Sequence, residues 1–291
     1  MDIGVTSRPA YHKFCVLATA ASALMLSACS GGAGVTVAGA AEPSSLPAVP
    51  LNSGPFFIPG EMMTWDVTFG GIEGGRARLA VGDVGSEHGR RLVVLHAEAE
   101  SSGLAAVVTQ QRDSVASWID VESGLPTRTE SSSVGTGKPT VVNVERVAGE
   151  PFADVEVFSA RTGDAGTHKR ARLPNLRTHD PLSVLLALRG WTAPQGGRVV
   201  VYSLGGLRVW KNVFTVDGRE DVDGPLGRRA AIRIHGVSTR VTPGLADDTS
   251  KPPRTFTVWF SDDHHRIPIR ISAHTELGDV VANATSYTPS D

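Results

Sequence analysis

From Thr64 to Phe69 the chain alternates Trp65, Val67 and Phe69 with Thr64, Asp66 and Thr68, and this two-residue period constrains the fold more than any other feature. Side chains return to the same side every second residue only in an extended strand, so each such segment has one face to bury and one for solvent. The pattern recurs at Arg91–Ala99, Val115–Asp120, Pro139–Val147, Ala153–Phe158 and Val199–Leu204. It continues at Leu207–Val216, Ala230–Val237, Thr255–Phe260, Ile267–Ser272 and Val280–Tyr287. Turn signals separate these segments at Gly70-Gly71, Gly205-Gly206, Asp217-Gly218 and Asp223-Gly224-Pro225. About a dozen closely spaced strands predict an all-β fold, an antiparallel sheet curved into a spiral or half-barrel.

One segment breaks the period. Asp180 precedes Pro181, Leu182, Ser183 and an apolar run through Leu185, Leu186 and Leu188 to Arg189, with Gly190 behind it. An N-cap acid, a proline at the first helical position and a glycine past the end predict a short helix over 181–189. Its leucines surround most of the circumference, so the helix is expected to be buried as a plug on the concave side of the sheet.

The amino-terminal region has a different character. Val16 to Leu26 is uncharged and apolar, with Arg8 and Lys13 before it and Ser27-Ala28-Cys29 after it. Eleven residues are too few to span a bilayer, which takes about 20, and the layout is that of a secretory signal. Leu26-Ser27-Ala28-Cys29 resembles the bacterial lipobox, which implies signal cleavage at 1–28 and lipidation of Cys29 by palmitate-type acyl chains. Several chains hold a protein at a membrane where one does so only marginally. Ser30 in place of an aspartate implies an outer-membrane destination in the periplasm of a Gram-negative cell. Cys15 lies within the discarded segment, so the mature chain has one thiol and no disulfide.

Residues 29–55 are rich in Gly, Ala, Ser and Pro and poor in large apolar groups, so they form a flexible tether, with a typical span of about 28 Å. The remaining 56–291, 236 residues, fit one β domain. Past the signal there are 26 Lys plus Arg against 29 Asp plus Glu, without a run of either sign. Nucleic acid therefore has no electrostatic footprint to answer. The excess of Arg over Lys, 23 to 5 in the whole chain, is scattered and reads as codon bias. A monomer is expected.

In order along the body, Gly60-Glu61, Trp65-Asp66-Val67, Gly70 to Ala77, Arg112 to Val115, Ile119-Asp120, Leu125-Pro126, Asp180 to Ser183, Leu188-Arg189 and Trp259 to Ile269 resemble the bacterial exported family DUF3108 (domain of unknown function 3108). The resemblance implies a curved sheet similar to the half-barrels of periplasmic lipoprotein carriers and related envelope-integrity proteins. It does not imply an activity. Departures are Trp65 where tyrosine is frequent and a polar insertion near Thr242 to Arg254.

Ser261-Asp262-Asp263-His264-His265-Arg266 is the densest ionisable cluster. A hairpin turn explains it, since Ser and Asp are turn formers and adjacent histidines of an extended chain point to opposite faces. The spacing of a helical metal site is absent, and neither metal nor cofactor is expected. Ser183 lacks the glycine elbow of a nucleophile, and its place in the first helical turn assigns it to backbone capping. The glycines of Gly70 to Gly75 lack the order a dinucleotide needs, and predict a turn or bulge.

Glu61, Asp113, Asp120 and Arg189 are expected as buried charges, a carboxylate–arginine pair among them setting register or capping the helix. The five tryptophans, Trp259 among them, are expected in the core or on the concave face rather than as a sugar platform. The functional expectation is a non-enzymatic binding or envelope-integrity factor, presenting a concave apolar face to a lipid, a lipoprotein segment or a protein. The rival is an envelope hydrolase of cell-wall or surface glycan, with Asp262, Asp263 and His264 as its acid–base groups.

Overall fold

The computed structural model describes residues 51, 54–103, 106, 110–135, 139–159, 166–275 and 278–290. The apolar leader, Cys29 and the tether through Pro50 lie outside the described residues. Among the described residues fourteen strands form one antiparallel sheet. They are β1 (Met62–Phe69), β2 (Ile72–Glu87), β3 (Arg90–Ser101), β4 (Arg112–Asp120), β5 (Pro126–Val134), β6 (Thr140–Arg146) and β7 (Phe152–Ser159), then β8 (Thr167–Arg172), β9 (Arg198–Gly205), β10 (Arg208–Val222), β11 (Arg229–Arg240), β12 (Arg254–Ser261), β13 (Pro268–Thr275) and β14 (Gly278–Thr288). The helix α1 (Pro181–Gly190) lies between β8 and β9.

The order β8-β7-β6-β5-β4-β3-β2-β1-β14-β13-β12-β11-β10-β9 has a simple route. The chain meanders outward to β8, crosses through α1 to the opposite edge and meanders back to the centre. There β14 pairs with β1 from Met62↔Thr288 to Phe69↔Val280. The sheet does not close, because β8 and β9 are its two edges. It curls until they approach: Val144, Ala153, Val155 and Leu173 pack in one cluster with Leu204, Val209 and Val241. The chain before α1 covers part of the β9 edge, with His179 N donating to Tyr202 O at 2.7 Å and Leu204 N to His179 O at 2.8 Å, which blunts an otherwise open row of strand donors and acceptors.

The concave side is the core. Met63, Trp65, Val93, Leu95, Ile119, Phe214, Phe260 and the helix residues Leu182, Val184, Leu186 and Leu188 belong to one buried cluster. The apolar concave face is therefore real, but α1 and the strands' own side chains occupy it. Gly236 shows how tightly they fit. It lies opposite Phe256 across β11 and β12, and a Cβ there would stand 2.3 Å from the Phe256 ring, which itself meets Phe214 edge-on at 5.6 Å.

Several sequence expectations are corrected. Strands β2, β5 and β8 come from segments without a clean apolar alternation: glycine-broken, Ser/Thr-rich and basic respectively. Their partners' ladders recruit them. Asp217-Gly218 is not a turn but a bulge within β10, where the register to β11 shifts between Val216 and Gly218. Gly70-Gly71 is a turn, whereas Gly74 is the extra residue of a bulge opposite Val67 and Thr68. Leu185 is half-buried while Leu186 is fully buried. Gly190 is the last helical residue rather than the one beyond it, and the cap falls on Trp191 in extended conformation.

Candidate functional site

The two ends of α1 gather Glu61, Ser183, Arg189 and the backbone of the 261–266 turn. At the carboxyl end, Arg189 meets Glu61 in a bidentate pair, Nη1 to Oε1 at 2.5 Å and Nη2 to Oε2 at 3.0 Å, with both side chains wholly buried. Glu61 precedes β1 and is also held by Ile58 N at 3.1 Å. Arg189 reaches on to the β12–β13 turn, where Nε donates to Arg266 O at 3.2 Å and Nη2 to His265 O at 2.8 Å. The contact is reciprocal: Arg266 Nε donates to Arg189 O at 3.1 Å and Nη2 to Trp191 O at 3.0 Å. A side chain from a distant turn thus satisfies the helix's terminal carbonyls, a task often left to a glycine cap.

Asp263 organises that turn. Its Oδ1 accepts from Ser261 Oγ at 2.8 Å, His265 N at 2.9 Å and Arg266 N at 3.1 Å. Burial would raise its pKa, but these hydrogen bonds outweigh it and hold the carboxyl below its ordinary value. Asp262 points elsewhere and pairs with Arg219 at 2.7 Å. His264 is exposed, and His265 bonds Tyr287 Oη through Nδ1 at 3.0 Å. The two histidines do not point to opposite faces. The chain turns here, and their rings stand 3.8 Å apart. Among the described residues no group of three His, Cys, Asp or Glu side chains could hold a metal ion.

At the amino end Asp180 closes a capping box: Ser183 N donates to Asp180 Oδ1 at 2.7 Å and Asp180 N to Ser183 Oγ at 2.9 Å. Asp180 Oδ2 accepts from Thr129 Oγ1 at 2.8 Å and from Ser117 Oγ, which docks the helix onto β4 and β5. His179 Nδ1 lies 3.2 Å from Ser183 Oγ, but the carboxylate holds the serine's backbone rather than the imidazole, so the relay of a hydrolytic triad is not assembled. Sequence reasoning passed over His179 and Arg146. They line, with Arg128 and Asp180, a space of about 10 Å³, scarcely room for one water.

Burial pulls the His179 imidazole down to about 4, with Asp180 opposing and Arg146 and Arg177 adding to the fall, and burial likewise lowers Arg146 to about 10. The native histidine stays neutral between pH 6.5 and 4 while the unfolded chain takes up a proton, so stability falls with pH through that window. Acidifying from pH 7 to 4.5 should remove about 2–3 kcal/mol through this group. Urea unfolding at both pH values tests it: His179→Gln should show a smaller acid loss than wild type, and equal losses would refute the assignment.

The remaining candidates are scattered. Asp113 is half-buried rather than buried; burial raises its pKa against hydrogen bonds from Ser133 and Gln111. Asp120, also half-buried, accepts from Ser123 N and Oγ, both at 2.8 Å, and shapes the β4–β5 turn. Trp65, Trp191 and Trp210 are core residues, but Trp118 and Trp259 stand half-buried on the outer face, because they fall out of phase with the buried Val115, Ser117, Ile119, Phe256, Val258 and Phe260 of their strands. Trp259 borders an open cleft of about 490 Å³ on the outer face of β11 to β14. Alternation shows which side of β12 is outward, but not which residues β11, β13 and β14 set beside Trp259.

The comparisons bear on the fold. The beta-barrel-like DUF1849 protein of Brucella abortus aligns over 81% of this chain and 100% of its own, at 10% identity and a TM-score of 0.52. An exported protein of YmcC-like fold from Bacteroides fragilis and a lipoprotein from Parabacteroides distasonis, so described, align over 81% of this chain and all of theirs. Their identities are 7% and 8% and their TM-scores 0.37 and 0.33. No curated protein sequence matches. The model of the family described as protein of unknown function (DUF3108) matches residues 64–285, a span reaching from β1 to β14 and including α1, Arg189 and the 261–266 turn. The chain belongs to the DUF3108 family.

Proposed function

We propose that the protein is an outer-membrane lipoprotein, anchored through Cys29 and facing the periplasm, that acts by binding a partner rather than by catalysis. The observation that carries the binding role is the bonding of the would-be catalytic groups. Asp263 holds a turn, Asp262 pairs with Arg219 and Ser183 caps α1, which leaves His264 exposed at the turn with both neighbouring carboxylates already bonded within the fold. The anchor is supported by the lipobox-like tetrapeptide and by the Gly/Ala/Ser/Pro segment behind it. Because α1 fills the concave face, a lipidic ligand, lipoprotein segment or envelope protein would meet the exposed side of the sheet.

The anchor has a direct test. Cys29→Ser should leave the protein uncleaved or soluble in the periplasm, since it removes the acyl chains that would hold the protein at the membrane at ~0.8 kcal/mol per buried methylene. Fractionation of cells carrying the variant reads the outcome. Cleaved variant that stays with the membrane would refute the anchor.

A further inference from the structure

We infer that the cleft on the outer face of β11 to β14 is a binding site for a neutral oligosaccharide. The inference goes beyond the envelope-binding role and does not depend on the anchor. Side-chain size along the strands creates the hollow. Across the middle, Thr257 lies opposite His235 and Ser272, and Ser272 opposite Val281, so three adjacent strands contribute short side chains as a floor. Two residues along in one direction Trp259 lies opposite Arg233 and Arg270, and Arg270 opposite Asn283. Two residues the other way, Thr255 on β12 and the opposed pair His274 and Asp279 form the second wall. Four residues of strand separate the walls, roughly 13 Å.

The walls are held rigid by contacts within the protein. Trp259 Nε1 donates to Glu220 Oε1 at 2.5 Å, and the Arg233 and Arg270 guanidinium carbons each lie 5.8 Å from its ring centroid. Arg270 Nε donates to Asn283 Oδ1 at 2.8 Å and Nη2 to Asp223 O at 2.6 Å. His235 Nδ1 bonds Asp217, which also pairs with Arg233 at 3.1 Å. His274 Nδ1 bonds Asp279 Oδ1 at 2.8 Å. Anchoring the Nδ1 atoms leaves each Nε2 as the second functional nitrogen of the ring.

This arrangement selects a ligand class. Around the cleft Arg233 and Arg270 stand against Asp217, Glu220 and Asp279, and Arg270 already spends its donors on Asn283 Oδ1 and Asp223 O, so a polyanion gains little. A lipid chain laid across the floor would meet only Val281 as an apolar partner, while stripping water from the Thr257 and Ser272 hydroxyls without replacing their hydrogen bonds. An extended peptide has no edge to join, because β11 to β14 all have strands on both sides. A sugar ring offers an apolar C–H face for the flat indole and a rim of hydroxyls that both donate and accept. Such a rim suits the mixed wall of hydroxyls, imidazole, guanidinium and amide, and the cleft volume lies in the range of ligand sites.

The test uses the full-length protein, kept in detergent, titrated calorimetrically with maltotetraose, with the tetramer of N-acetylglucosamine and with a sulfated heparin tetrasaccharide. At least one neutral tetrasaccharide should bind. Trp259→Ala should weaken it by about tenfold, the value of one stacked ring, and Ser272→Trp, which fills the floor while leaving the walls, should abolish it with unchanged circular dichroism. If Trp259→Ala fails to fold, Ser272→Trp decides alone. Binding of neither neutral sugar, binding of the sulfated sugar alone, or neutral-sugar binding indifferent to Ser272→Trp would each overturn the proposal.

Discussion

Leu186→Asp should leave the protein largely unfolded at neutral pH. Leu186 is fully buried in the cluster that joins α1 to the strands. Losing a buried leucine costs about 2–5 kcal/mol as a cavity, and an unpaired carboxylate in the same place adds several more. The sum approaches or exceeds a domain's margin of about 5–15 kcal/mol. Leu185→Asp, one residue earlier, should cost distinctly less because Leu185 is only half-buried. Thermal unfolding of both variants, with Leu186→Ala as the graded control, reads the difference. Equal stability of the two aspartate variants would mean that α1 does not present Leu186 to the core.

Glu61→Ala should destabilise the protein by about 3–5 kcal/mol, because it abandons the Arg189 guanidinium in a site with no exposure. Arg189→Ala should cost at least as much, since Arg189 also holds the carbonyls of His265 and Arg266. The double variant should fall well short of the sum of the two losses, as removing the second partner also removes the stranded charge. Denaturant unfolding of the three variants forms the cycle, and strict additivity would show that the two groups do not interact. The pair fixes geometry more than it adds stability, because it joins the chain entering β1, the end of α1 and the β12–β13 turn. Those three segments are 128 and 76–77 residues apart in sequence.

How much of this was legible residue by residue depends on whether the signal was local. Apolar alternation in Trp65-Val67 or Phe256-Val258-Phe260 reports burial on one face, and those strands were readable. Pro126–Val134, with its run of Ser and Thr, and the basic Thr167–Arg172 become strands only because β4, β6 and β7 offer a ladder to pair with; their own side chains do not call for one. Asp217-Gly218 has the composition of a turn, yet β10 continues through it because β11 is long enough to pair on both sides of the bulge. His179 carried no motif at all. Its importance arises from burial beside Asp180 and the β9 edge, which no spacing encodes.

The sequence by itself determined the class of fold, the position and amino-terminal capping of α1 and the family, because strand period, the Asp180–Ser183 cap and motif order are properties of neighbouring residues. It also marked Glu61, Arg189 and the 261–266 turn as notable. Only the tertiary structure decided that the first and last strands pair at the centre of the sheet, that α1 fills the concave face, and that Glu61 is the partner of Arg189. It also decided which residues of β11, β13 and β14 stand beside Trp259, making a walled hollow with Thr257 and Ser272 in its floor. Those outcomes depend on strand order and register, which are set by the packing of residues far apart in the chain.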